Sequence, residues 1–249
     1  MLLDRSANVE LIFSVAVVFS IALTDVWAFS PIHESKQFTQ FLGGYEKLCE
    51  RHIQFKDQLP NYPDLIINQI LPNLNQLEEI GDAEITACTY WLLGLSYYLK
   101  EEYTLSNFYF KKVNELDPTQ IPDRLKISVS TNIGANYNLL EEPELAIEYY
   151  EVSLQFYRAM GNDLIAAQLD LIIGTLYNRL GELDRAIVIT KRSLDVFKDF
   201  GEEFYVSLAT KKLGNYYLSL GEESAIEMLY EAEKNFEALC STIISNQRV

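Results

Sequence analysis

A chain of 249 residues with 49% apolar content is long enough to bury a sizeable core. Its 36 acidic residues outnumber its 20 basic ones, so the formal net charge is −16. Because such a surface repels phosphate groups, the composition argues against nucleic acid as a partner and against a general attraction to anionic lipid headgroups.

The first thirty residues contain an uncharged apolar run, Leu11–Leu23, followed by a small-residue ending, Val26–Ala28, that a signal peptidase could cut. Residues 11–29 are therefore a candidate export signal or membrane anchor. Against this, Asp4 and Glu10 precede the run where a signal peptide carries positive charge, and the run is shorter than the ~20 residues of a spanning helix. The alternative for residues 1–30 is a first helix packed on the rest of the protein. A cytoplasmic, membrane-anchored or exported location stays open.

Four segments of the chain repeat one pattern of glycine and tyrosine. Each glycine follows Leu or Ile, stands 40 residues from the next, and precedes a tyrosine by three residues. The four pairs are Gly94 with Tyr97, Gly134 with Tyr137, Gly174 with Tyr177, and Gly214 with Tyr217. Further glycines at 81, 161, 181, 201 and 221 stand where helices would end, since glycine accepts the left-handed conformation that closes a helix. The fixed period predicts stacked units of helix, turn, helix and turn.

This pattern resembles the tetratricopeptide repeat, which has Leu-Gly, a tyrosine three residues later and small residues where helices approach closely. Tyr90, Ala146 and Ala186 match other positions of that motif, whereas Ser106 and Thr190 depart from it. The resemblance implies an all-α fold, a right-handed superhelical solenoid of antiparallel helix pairs, with four repeats in residues 81–245. A period of 40 instead of the usual 34 implies longer helices, such as residues 163–180 and 183–200.

Upstream, residues 35–80 are interpreted as a degenerate first repeat. Gln37–Leu59 would form its first helix, and the second would follow over residues 62–81 with an interruption at Pro72. The later helix pairs are predicted to begin near residues 82, 121, 163 and 203.

Residues 35–245 also resemble the receptor region of the intracellular peptide-pheromone receptors of Gram-positive bacteria. Those long-period tetratricopeptide proteins bind short peptides in the superhelix groove and often carry an N-terminal DNA-binding domain. Residues 1–34 are apolar where that basic domain would be, so direct transcriptional control is not predicted.

Few residues in the sequence are candidates for catalysis or for metal binding. The histidines are His33 and His52, and Cys49 with His52 would supply only two metal ligands. We therefore predict no catalytic residue, no metal site and no cofactor. The cysteines, Cys49, Cys88 and Cys240, show no metal-ligand spacing and are interpreted as small buried thiols.

The tetratricopeptide resemblance implies a binding groove lined by the first helix of each pair. The implied groove residues are Trp91, Leu95 and Tyr98 in the first repeat, Thr131, Asn132, Ala135 and Asn138 in the second, Gln168, Thr175, Asn178 and Arg179 in the third, and Lys211 and Asn215 in the fourth. The first set is aromatic and apolar, and the later sets are rich in amides and hydroxyls. Such a groove suits an extended peptide, because amides can pair with its backbone while the apolar end holds a side chain.

Lys211 and Asn215 also resemble part of the carboxylate clamp with which some tetratricopeptide domains hold a peptide C-terminus. The alternative is that Lys211 and Lys212 form a solvated basic pair that balances nearby glutamates.

The leading hypothesis is a non-catalytic adaptor that binds a protein or peptide in its concave groove. One alternative is a peptide-sensing receptor whose superhelix responds to a small peptide. The other is a structural subunit of a membrane-associated assembly, held there through residues 11–29.

Overall fold

The computed structural model describes residues 62–79 and 81–246, with the backbone alone at residues 62, 65, 69, 76, 77 and 240–246. These residues form helices and turns and no strand. The helices are α1 (Tyr62–Ile70), a 3₁₀ turn (Leu71–Asn73), α2 (Leu74–Glu79), α3 (Ala83–Leu99), α4 (Tyr103–Asn114), α5 (Asp123–Leu139), α6 (Pro143–Ala159), α7 (Asp163–Arg179), α8 (Leu183–Phe200), α9 (Glu203–Ser219) and α10 (Ser224–Asn246).

The segment before the regular repeats is broken where the sequence predicts a break. Pro72 lies in the 3₁₀ turn between α1 and α2, because its ring and missing N–H prevent a continuous helix. Helix α1 packs against α3 through Ile66 and Ile70, both fully buried in the first core. The apolar segment at residues 1–30 and the helix predicted over residues 37–59 lie outside the described residues. Among the residues that are described, no helix is both long and apolar enough to cross a membrane.

The chain divides into two compact units, with the boundary after Tyr149. In the described part of the first unit, α3 pairs with α4, and α4 contacts α5. In the second unit, α7 pairs with α8 and α9 with α10, while α8 contacts α9. Each unit has its own apolar core: Leu92, Leu93 and Phe110 are central to the first, and Ala186, Phe197 and Ala209 to the second.

The repeat glycines stand where two paired helices approach most closely. A Cβ atom at Gly174 would lie 2.5 Å from Oγ1 of Thr190 and 3.3 Å from the backbone oxygen of Ala186 on α8. A Cβ at Gly94 would lie 2.5 Å from the ring of Phe110 on α4. Since side chains do not tolerate such distances, the glycines set the spacing of the pairs.

The turn after the first helix of each pair contains a residue in the left-handed conformation, seven places beyond the repeat glycine. Gly181 and Gly221 fill this place in the last two repeats, with φ of 78° and 77°. Glu101 and Glu141 fill it in the first two, each with φ of 61°. A side chain disfavours this conformation, so the first two turns are strained relative to the last two.

Successive repeats contact each other through the repeat tyrosine. The residue seventeen places after one repeat glycine meets the tyrosine of the next repeat. These pairs are Lys111 with Tyr137, Glu151 with Tyr177, and Lys191 with Tyr217. Lys111 Nζ donates to the Tyr137 hydroxyl at 2.6 Å, and Lys191 Nζ lies 5.4 Å from the Tyr217 ring centroid, within the range of a cation–π contact. The same position therefore joins neighbouring pairs within each unit.

A buried ion-pair triad links three helices of the second unit. Asp170 on α7 has a side chain only 4% exposed and accepts hydrogen bonds from two arginines. Arg158 on α6 donates from Nη2 to both carboxylate oxygens at 2.9 and 2.7 Å, and Arg192 on α8 donates from Nε and Nη2 at 3.0 and 2.7 Å. Both guanidinium groups keep about half of their side-chain surface in solvent, so only the carboxylate bears a full desolvation cost.

Candidate functional site

The first helix of each pair, which we call the inner helix, carries the groove residues implied by the sequence. Within each unit two inner helices lie side by side, α3 with α5 and α7 with α9. Asp82 is the N-cap of α3, and its carboxylate accepts from the N–H of Ile85; Asn162 is the N-cap of α7, and its side chain accepts from the N–H of Ile165. These caps fix where the helices start and hence which residues share a face.

In the first unit the implied groove residues are largely covered. Those on α3 and most of those on α5 are buried: Trp91, Leu95, Tyr98, Thr131, Asn132 and Ala135. Only Asn138 is partly exposed. Thr131 uses its hydroxyl to donate to the carbonyl of Ile127 at 2.9 Å. These residues stay candidates for ligand contact, but a ligand reaches them only if the side chains around them move.

Three buried polar atoms on α5 have no hydrogen-bond partner: Oγ of Ser128, Nδ2 of Asn132 and Oδ1 of Asn136. Successive residues of this set are four apart and thus lie on one face of the helix. An unpaired buried amide or hydroxyl costs free energy, so each of them would gain from a partner that a ligand or a water supplies.

In the second unit the implied groove residues lie nearer to solvent. Gln168, Thr175 and Asn178 on α7 are partly exposed and Arg179 is exposed. The spacing of Gln168, Thr175 and Arg179 places them on one face of α7. On the neighbouring α9, Lys211 is partly exposed and Asn215 is exposed.

The two helices present these side chains in register. Asn215 has the place in its repeat that Thr175 has in the preceding one, directly after the repeat glycine. The Thr175 hydroxyl donates to the carbonyl of Leu171 at 2.9 Å and keeps its acceptor capacity. The six residues on α7 and α9 therefore form a polar surface of amides, a hydroxyl and two cations, which we call the α7–α9 surface.

The buried groove residues of the first unit and the exposed ones of the second differ in their electrostatic properties. Burial, with a smaller contribution from Tyr103, raises the pKa of the Tyr98 phenol above its ordinary value of 10.0. The phenol therefore stays neutral at physiological pH. On the α7–α9 surface, Arg179 and Lys211 supply positive charge in a chain whose net charge is −16. Such a surface favours a ligand with carbonyl or carboxylate oxygens.

The remaining candidates offer little chemistry. In the described part of the chain, no group of three or more His, Cys, Asp or Glu side chains could hold a metal ion. His33, His52 and Cys49 lie outside the described residues. Cys88 is buried as expected, but the interpretation as a thiol is wrong because Cys88 is disulfide-bonded. Sequence spacing alone does not reveal which cysteines meet in space.

The arginine pair of the triad was not among the sequence-based candidates. Asp170 stands four places before its repeat glycine, where the other repeats have Tyr90, Ser130 and Thr210, all buried. A carboxylate in a position that is otherwise buried and uncharged is the signal that could have revealed it, because such a group needs a cationic partner.

The element order and the paired packing define an all-α, tetratricopeptide-like helical-repeat fold, and the fold class predicted from the sequence is confirmed. No protein-family model matches the sequence, and no curated protein matches it. The solved structures that are similar to the chain include MamA, BtubC and PlcR. MamA has a TM-score of 0.54 at 18% identity, over 71% of this chain and 91% of MamA.

BtubC (BKLC) from P. vanneervenii has a TM-score of 0.57 at 16% identity, covering 83% of this chain and 93% of its own. PlcR of Bacillus thuringiensis, crystallised with the peptide PapR7 and DNA, has a TM-score of 0.51 at 13% identity, covering 88% of this chain and 76% of PlcR. Similarity at these identities shows the fold alone.

Proposed function

We propose that the chain is a non-catalytic binding protein that holds a peptide, or an extended segment of a partner protein, on the α7–α9 surface. The observation that carries the proposal is the register of Thr175 and Asn215 on two adjacent inner helices. Hydroxyl and amide groups repeated along a surface can donate to and accept from successive peptide groups of an extended chain.

The charge of the chain supports the choice of partner. A net charge of −16 disfavours nucleic acid, while Arg179 and Lys211 give this one surface a local attraction for oxygen-rich ligands. The crystal structure of PlcR with the peptide PapR7 supplies a precedent for peptide binding by a protein of similar fold.

The test is the thermal unfolding of the full chain in the presence of a library of short synthetic peptides. A peptide that binds only the folded chain raises the midpoint by mass action, by an amount that grows with its concentration. Asn178→Ala and Asn215→Ala should each reduce the shift given by a positive peptide. The matched control is Gln155→Ala, an exposed amide on α6 in the same unit, which should leave the shift unchanged.

Two results would overturn the proposal. The first is a library in which no peptide raises the midpoint. The second is a set of positive peptides whose shifts survive both asparagine substitutions, which would place binding elsewhere on the chain.

A further inference from the structure

The second helix of each pair, the outer helix, presents one stripe of residues to the inner helix that follows it. Asn107 on α4 accepts from the Asn136 amide on α5 at 2.8 Å and is 5% exposed. One turn later Lys111 contacts Tyr137. On α8 the same stripe contains Ile187, 9% exposed, and Lys191, which lies over Tyr217 of α9.

Helix α10 carries the corresponding stripe, and the structure describes no inner helix after it. Ala225 lies eleven residues after Gly214, whereas Ala186 lies twelve after Gly174, so with this one-residue offset Ile226 corresponds to Ile187 and Tyr230 to Lys191. Ala225 and Ala186, which precede them, are both fully buried and confirm the alignment. Ile226 and Tyr230 are each 70% exposed. Two large apolar side chains one turn apart thus lie open where the fold elsewhere places a helix.

The acidic residues around Ile226 and Tyr230 indicate which kind of partner would cover these two side chains. The stripe continues at Glu233 and Glu237, which follow Tyr230 at helical spacing and are exposed. Glu222, Glu223, Glu227 and Glu231 are also exposed on or just before α10, against the single cation Lys234 among its described side chains. A second copy of the same acidic face would be repelled, whereas a basic partner would be attracted.

We propose that Ile226, Tyr230, Glu233 and Glu237, the open face of α10, bind a basic amphipathic helix of a partner protein. The incoming helix takes the place that α9 has against α8. Since early α9 stacks on late α8, through Tyr205 and Phe197 with ring centroids 4.9 Å apart, that place is antiparallel. The first half of the incoming helix therefore carries lysine or arginine opposite the glutamates, and its second half carries apolar residues opposite Ile226 and Tyr230.

The test uses two labelled synthetic helices of the 17-residue length of α9, identical in composition. The forward peptide has lysines in its first two turns and leucines at helical spacing in its last two, and the reverse peptide has the opposite order. Fluorescence anisotropy with the full chain should show binding of the forward peptide at least about tenfold tighter than that of the reverse one. Binding of the forward peptide should also weaken with added salt.

Substitutions then locate the site. Ile226→Ser with Tyr230→Ser should weaken the forward peptide by about tenfold or more. Glu233→Lys with Glu237→Lys should weaken it and reduce its salt dependence. The matched control is Val188→Ser on α8, an apolar residue outside the stripe that is 64% exposed, which should leave the binding of the forward peptide unchanged. Since these side chains are exposed, the variants should keep the parent melting temperature.

Asn178→Ala separates this proposal from the one made for the α7–α9 surface, because it should leave the forward peptide unaffected. The proposal is overturned if the two peptides bind equally, if neither binds, or if the Ile226 and Tyr230 substitutions have no effect. It is also overturned if sedimentation shows a dimer of the chain that those substitutions abolish, since a second copy would then occupy the face.

Discussion

Arg192 donates two hydrogen bonds to the buried carboxylate of Asp170, from Nε at 3.0 Å and from Nη2 at 2.7 Å. Arg158 approaches the same carboxylate from another helix. Each arginine alone still neutralises Asp170, so Arg158→Ala or Arg192→Ala should cost only about 1 kcal/mol. The double substitution leaves a buried charge unpaired and should cost about 3 kcal/mol or more, exceeding the sum of the single changes. Urea unfolding of the three variants measures this, and additive losses would contradict it.

Gly174 sets the distance between α7 and α8. Gly174→Leu should destabilise the fold by about 2 kcal/mol or more, because even its Cβ would overlap Oγ1 of Thr190. Gly174→Ala should cost less, and adding Thr190→Ala should restore part of the loss. The recovery should be incomplete, since the Ala186 carbonyl still lies 3.3 Å from the new Cβ. Thermal denaturation compares the variants, and a Gly174→Leu protein that melts like the parent would refute the close approach.

Glu141 holds a left-handed conformation that glycine holds in later repeats. Glu141→Gly should therefore stabilise the fold by roughly 0.5–1 kcal/mol, even though glycine has more entropy to lose on folding. The reciprocal control is Gly181→Ala, which should destabilise by about 1 kcal/mol. Denaturant unfolding midpoints of the two variants measure these changes in stability. If both substitutions stabilised the fold, or both destabilised it, the turn conformation would not be the cause.

Because of Tyr98, the stability of the fold should depend on pH in the alkaline range. Burial raises its pKa in the folded chain above the ordinary 10.0, so the unfolded chain loses this proton first as pH rises. The stabilisation is complete below that ordinary pKa and is lost as the pH rises beyond it. From about pH 10 upwards the melting temperature should fall, and Tyr98→Phe should reduce the slope. Tyr230→Phe, at an exposed position, should retain it.

Local signals in the sequence predicted much of the fold. Helix α8 begins at Leu183 and ends at Phe200, as predicted, because Gly181 lies in the turn after α7 and Gly201 is the left-handed C-cap of α8 itself. The pair predicted to begin near residue 121 starts at Asp123, since Pro122 stands at the N-cap and its fixed φ suits entry into the helix. The left-handed turns at Glu101 and Glu141 lack the glycine signal and were not predicted.

The candidate site was predictable only as a set of helix faces. Spacing from the repeat glycines selects Trp91 and Tyr98 as readily as Thr175, yet the first two are buried and the third is partly exposed. Exposure depends on what packs over a face, and that depends on residues far away in sequence. The triad shows the same limit, because Arg158 and Arg192 lie 12 and 22 residues from Asp170.

The hydroxyl group of a repeat tyrosine can bond to a cationic or to an anionic side chain. The Tyr137 hydroxyl accepts a hydrogen bond from Lys111, whereas the Tyr177 hydroxyl donates a hydrogen bond to the carboxylate of Glu151. A phenol is both donor and acceptor, so reversing the charge on an outer helix reverses the direction of the bond without breaking it. The charge at this position of the outer helices can thus change sign while the spacing of successive helices stays constant.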